Sequence, residues 1–201
     1  APAPAPGPAP ASTTTTVADF QGEDLTGADF RRATLIGADF TGADFKNADL
    51  TEVNLTGVTL TGVYLRGAYL TGVNLMEVYL SEANLTGVNL AGTDLRYSQA
   101  PSANFTMANL TQADLRRAEL TGVNLKGARM YYTDLCEQDL SGADLTGVNL
   151  ERVNLAGADL TQADLTGANL KGAELIGTHR HGGVHRRGGP HRGGPDRGDS
   201  R

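Results

Sequence analysis

Carboxylates recur in this chain at intervals of five, at Asp19, Asp24, Asp29, Asp39, Asp44 and Asp49. Acidic side chains held close together can exchange protons or gather a cation. Here each Asp fills the same slot of a short repeat, and nothing in the spacing pairs two of them for acid–base work. The four histidines, His179, His181, His185 and His191, all follow Gly177 in a Gly- and Arg-rich stretch without fixed spacing. Such a stretch holds no base against a nucleophile and sets no metal geometry. Cys136 has no histidine near it in sequence. No phosphate-binding loop is present. The chain is therefore expected to be no enzyme and to carry no cofactor or metal.

What places these side chains is a repeat running from Ala18 to Gly177. Every residue numbered a multiple of five from Phe20 to Leu175 is apolar. Most are Leu, and Phe20, Phe30, Phe40, Phe45 and Phe105 supply the aromatics. Two residues earlier stands a small residue, as at Ala28, Val53 and Ala143; Asp or Asn lies between, and Thr-Gly commonly follows. Five residues turn an α-helix by about 500°, which scatters the Leu around it. In a flat strand an odd spacing sends alternate Leu to opposite faces. The chain must instead bend once per repeat and keep each Leu inside a coil, as solenoids do.

The string A(D/N)LxG resembles the pentapeptide-repeat proteins, over about four-fifths of the chain. The resemblance implies an all-β fold, a right-handed quadrilateral parallel β-helix with four repeats per coil. Residues 18–177 would then make about 8 coils of 20 residues. At ~4.8 Å per coil the rod is roughly 38 Å long. Residues twenty apart stack, so Leu55, Leu75, Leu95 and Leu115 should share one column. The large and small residues point inward, the other three positions face water, and Gly after Thr suits a corner of positive φ.

Two flanking segments complete the chain. Residues 1–17, APAPAPGPAPASTTTTV, read as an extended Ala/Pro linker. Residues 178–201 read as a disordered tail with six Arg and two Asp, a charge of +4 with His neutral. RGG-like tails bind RNA or acidic surfaces, and Arg197-Gly198-Asp199-Ser200 also spells an adhesion string. The chain opens on Ala1 rather than Met, which predicts an upstream segment removed or omitted. One cysteine rules out an internal disulfide and favours a reducing compartment, hence the cytoplasm. A signal peptide ahead of Ala1 would make it secreted. No apolar run is long enough to insert in a membrane as a helix.

The rod's surface varies along its length. Residues 18–57 carry eight acids against three bases, a net of −5. Stacking sets Asp19 over Asp39, Asp24 over Asp44 and Asp29 over Asp49. These pairs are either an acidic recognition surface or solvated corners whose Asp bond nearby amides. Glu23 stands at an inward position, but in the first coil, where it can reach water. Residues 58–137 are almost neutral at −1, and there Tyr64, Tyr69 and Tyr79 replace the usual Asp or Asn. They fall on three sides of neighbouring coils, as a binding band or as β-favouring side chains. The repeat falters at 96–102, where Ala100 takes a Leu slot and a local bulge or narrowing is expected with Pro101 at the corner. It falters again at 129–138, where Gln138 stands at an inward position and needs a partner. Residues 138–177 return to −4.

Three functions fit. The first is a non-enzymatic scaffold that binds a protein partner through its outer faces. The second follows from the resemblance: some pentapeptide-repeat proteins modulate DNA gyrase or related topoisomerases by mimicking duplex DNA, giving antibiotic resistance. Those relatives commonly carry Cys at the small inward position and a helical C-terminal dimerisation element, whereas this chain has Ala or Val there and no amphipathic helix after Gly177. Its rod carries −10 over roughly 38 Å, about one charge per 4 Å, against one per ~1.7 Å in duplex DNA. The third function is a rigid spacer joined to an upstream domain. The bare last coil predicts a homodimer through the C-terminal end.

Overall fold

The structure is a computed structural model that describes residues 18–179. The linker at 1–17 and the tail from Arg180 onward, with its adhesion string and His181, His185 and His191, lie outside the described residues. The described chain winds as a four-sided coil. Its first face carries residues 18–22 and their equivalents every twenty residues, the second 23–27, the third 28–32 and the fourth 33–37.

Parallel bridges join residues twenty apart on every face. Asp19 pairs with Asp39, Asp24 with Asp44, Asp29 with Asp49, and Asn54 with Asn74. Two hydrogen bonds hold most of the bridges. Phe20 N–H donates to the Asp39 carbonyl at 2.8 Å, and Asp39 N–H donates to the Ala18 carbonyl at 3.0 Å. The bridges Asn54–Asn74, Asn74–Asp94 and Asp94–Asp114 carry Leu55, Leu75, Leu95 and Leu115 up one column, as the period predicts. The ladder runs two residues past Gly177, with His179 pairing to Asp159.

A tight turn makes each corner. Ala28 N–H donates to the Leu25 carbonyl at 3.0 Å, closing a four-residue turn around Thr26 and Gly27. The third turn residue has φ between 57° and 75° at every corner among the described residues. That is the type II arrangement, which suits Gly because a Cβ is strained there. Glycine holds 18 of these 32 corners, and 14 are held by other residues.

Inside, the Leu columns and the Ala/Val positions form one continuous core. The amino-terminal end is plugged by rings: Phe20 stacks on Phe40 with centroids 4.8 Å apart, and Phe40 meets Phe45 at 5.0 Å. Glu23 is exposed, as its place in the first coil predicts.

The expected bulge at 96–102 does not form. Gln99 pairs with Tyr79 on one side and with Glu119 on the other, so the register of twenty is kept. Pro101 sits where type II turns favour proline. At most corners this residue's N–H donates to the Asp or Asn two positions before it, as Gln21 does to Asp19 at 3.1 Å. Gln99 stands in place of that Asp, so proline gives up little. Phe105, at the next central position of the same coil, is fully buried, and its ring is larger than the Leu usual there.

The second irregular stretch does disturb the ladder. Gln138 is buried, and its Nε2 donates to the Ala118 carbonyl. At the equivalent position of other coils this carbonyl accepts a main-chain N–H, as Ala18 O does from Asp39. Among the described residues no bridge joins Glu119 to Asp139. The Gln side chain has its partner at the cost of one rung.

Candidate functional site

With the core filled, the outer wall is where this protein can meet another molecule. Its acidic columns are organised by the corners. Asp24 accepts Thr26 N–H at 3.0 Å, Asp29 accepts Arg31 N–H at 3.0 Å, and Asp49 accepts Thr51 N–H at 3.0 Å. An Asp or Asn in this slot therefore orients the corner after it, which is why the slot is so uniform.

These bonds keep stacked carboxylates ionised. Asp29 is lowered to about 2, first by the Arg31 side chain and then by the Arg31 backbone amide. Asp24, Asp39 and Asp49 are lowered chiefly by hydrogen bonds from the threonine two residues on. The result is a charged and ordered wall rather than a proton-exchanging one.

The three tyrosines lie on three different faces. Tyr64 follows Asp44 on the second face, and Tyr69 follows Asp49 on the third. Each thus continues an Asp–Asp column. Tyr79 lies on the first face, separated from Asp39 by Thr59. All three are exposed, Tyr69 the most at 61%. Tyr64 and Tyr69 flank one corner and can touch one partner together; Tyr79 faces another way.

Two clusters grow out of the irregular stretches at 96–102 and 129–138, joined by arginines one coil on that the sequence did not mark as their partners. On the corner after the fourth face, Arg96, Tyr97, Arg116 and Arg117 line an open hollow of about 210 Å³. Arg96 Nη2 meets Asp94 at 2.6 Å and Arg116 Nη2 meets Asp114 at 2.6 Å, while Arg117 lies over the Tyr97 ring at 5.6 Å. On the corner after the third face, Tyr131 and Tyr132 have centroids 4.2 Å apart, and Arg152 donates to the Tyr132 hydroxyl at 3.2 Å. Each Tyr–Arg pair is twenty residues apart, a relation visible once the period is known. The exposed Cys136 lies on the same corner as Arg116, one coil further on.

Among the described residues no group of three or more His, Cys, Asp and Glu could hold a metal ion, and no helix is long and apolar enough to cross a membrane. Ladder, corners and filled core together define a four-sided parallel β-solenoid with its variation on the outside. The chain belongs to the pentapeptide repeat family: the Pentapeptide repeats model matches it in 8 copies, over segments from 18–51 to 143–179. Proteins of this family form right-handed quadrilateral β-helices.

The chain is similar to several solved structures, and the first of those that follow matches it at the level of the fold. A trypsin-treated variant of QnrB1, a plasmid-mediated fluoroquinolone resistance protein, is 20% identical with a TM-score of 0.54, covering 81% of this chain and 88% of that one. HetL, involved in heterocyst differentiation regulation in the cyanobacterium Nostoc sp. strain PCC 7120, is 28% identical with a TM-score of 0.30, covering 81% and 87%. Rfr23 from the cyanobacterium Cyanothece 51142 is 21% identical with a TM-score of 0.19, covering 77% and 93%. No curated protein matches the chain.

Proposed function

We propose that this protein is a non-enzymatic scaffold that binds a protein partner through its outer faces. The observation that carries the reading is the placing of Tyr64 and Tyr69, exposed at the ends of two ionised Asp columns and flanking one corner. Exposed aromatics beside fixed charge are the usual anchors of protein interfaces. The test is affinity capture from lysate of the cells that make the protein, comparing wild type with the double variant Tyr64→Asn, Tyr69→Asn. Asn is an ordinary occupant of this slot, so the variant keeps its fold. A protein held by wild type and lost from the variant supports the reading; a wild-type rod that retains nothing overturns it.

Modulation of a topoisomerase by DNA mimicry is the second reading. It is supported by the acidic first two coils, where −5 over about 10 Å, one charge per ~2 Å, approaches the density of duplex DNA. Purified DNA gyrase in a supercoiling assay decides it. Inhibition by the intact chain that Asp24→Asn with Asp44→Asn abolishes supports mimicry, and unchanged supercoiling removes it.

A further inference from the structure

Residues other than glycine at the corners are not evenly spread. On the corner after the fourth face four consecutive coils carry Glu77, Tyr97, Arg117 and Glu137, all with φ between 57° and 61°. An L side chain in this region costs about 1–2 kcal/mol. Strain held by large side chains at adjacent positions points to a use for those side chains.

What they build is a short positive slot with negative ends. Arg96 and Arg116 each pair one edge with Asp94 and Asp114, Arg96 Nε also lies 3.7 Å from Asp114, and both guanidiniums line the hollow. Arg117 has no carboxylate within 4.0 Å among the described residues, and its guanidinium rests on Tyr97. Asp94 and Asp114 face Arg96 and Arg116, and Asp134 follows one coil on in the same column, so Arg117 is the one of these three guanidiniums without a carboxylate partner among the described residues. A single free guanidinium suits a single carboxylate better than a phosphate dianion. Glu77 stands one coil before and Glu137 one coil after, so a long polyanion meets repulsion at both ends.

We propose that this corner docks an extended segment of a protein partner in which one acidic residue lies between two basic ones. It rests on the scaffold reading and names the partner's chemistry. Glu77 and Glu137 are three coils apart, roughly 14 Å. An extended chain covers that in about four residues, so the pattern is base-x-acid-x-base. The acid enters the hollow among the guanidiniums, Tyr97 gives the apolar wall, and each base meets a glutamate.

The probe is a fluorescent peptide containing Lys-Ser-Glu-Ser-Lys, titrated into the full chain at low salt and read by anisotropy. Its comparisons are the inverted Glu-Ser-Lys-Ser-Glu peptide, hexaglutamate and a single-stranded DNA oligomer. Arg117→Gly and Tyr97→Gly test the site cleanly, because glycine relieves the corner and both variants melt no lower than wild type. Binding of the Lys-Ser-Glu-Ser-Lys probe should weaken at least tenfold in Arg117→Gly, weaken in Tyr97→Gly, and stay unchanged in Met107→Gly on another corner. Equal binding by Arg117→Gly overturns the proposal, as does tighter binding of the inverted peptide, hexaglutamate or DNA. A cellular partner that wild type and both variants retain equally sinks this corner and leaves the scaffold reading standing. A wild-type rod that retains no partner sinks both.

Discussion

At the scale of the residue, the corner is where this sequence is most exacting. Gly62 has φ +65° with nothing within 4 Å of a would-be Cβ, so Gly62→Ala meets no clash and isolates the backbone cost. It should lower stability by about 1 kcal/mol. Met107 is the reverse case, exposed and held at φ 58°. Met107→Gly should raise stability by about 0.5–1 kcal/mol once glycine's extra unfolded-state freedom is set against the relief. Thermal unfolding by circular dichroism reads both, and opposite signs are required. The Asp slot adds a pH dependence. Asp24, Asp29, Asp39 and Asp49 titrate lower in the folded chain than the ordinary value near 3.9. Their contribution is complete above about pH 4 and drains away as pH falls through the folded values, about 2 at Asp29. Melting temperature should therefore drop between pH 4 and pH 2. Asp29→Asn should make that drop shallower while leaving the Asx bond in place.

The coil is the next scale, and its rules are carried by the inward positions. Leu75 is fully buried, and Asn74 beside it faces out. Leu75→Asp buries an unpaired charge and should cost more than 4 kcal/mol, whereas Asn74→Asp keeps the Asx bond and should stay within about 0.5 kcal/mol. Similar melting temperatures for the two would contradict the register. Ser98 is buried with no partner for its hydroxyl, so Ser98→Ala should stabilise by about 1 kcal/mol. Register, coil count and the facing of each position were legible because one apolar residue every five admits one way of bending. Ala100 misled, because volume was read one slot at a time while a coil packs four central residues together, here with the larger Phe105 among them. Gln138 was legible as a residue needing a partner, but not the rung it displaces, since that depends on which carbonyl lies one coil away. The Arg96–Arg117 corner escaped because its two halves are nineteen to twenty-one residues apart in sequence and join only by stacking. The columns from Asp19, Asp24 and Asp29 were readable because each repeats a single slot.

For the whole molecule the open question is what meets the ends of the rod. Both terminal coils leave their central residues half-covered, Phe20, Leu25 and Phe30 at one end and Leu170 and Leu175 at the other. Among the described residues each end also presents one row of backbone groups with no next coil, a ready template for pairing. The amino-terminal end carries Asp19, Glu23, Asp24 and Asp29 on its rim, so two such ends repel one another at neutral pH. The carboxy-terminal rim carries Lys171 and Glu174, which can pair across a two-fold axis, and Ile176 is 82% exposed there. A two-fold contact closes, whereas head-to-tail stacking grows into filaments. The expected assembly is therefore a dimer through the carboxy-terminal coil, the same patch used twice. Sedimentation of the full chain at tens of micromolar should show that dimer. Ile176→Asp should return it to monomer with little change in melting temperature at low concentration, since this side chain is already in water in the single rod. A monomer at all concentrations, or a dimer indifferent to Ile176→Asp, removes this contact. A series of species growing with concentration would show head-to-tail stacking instead.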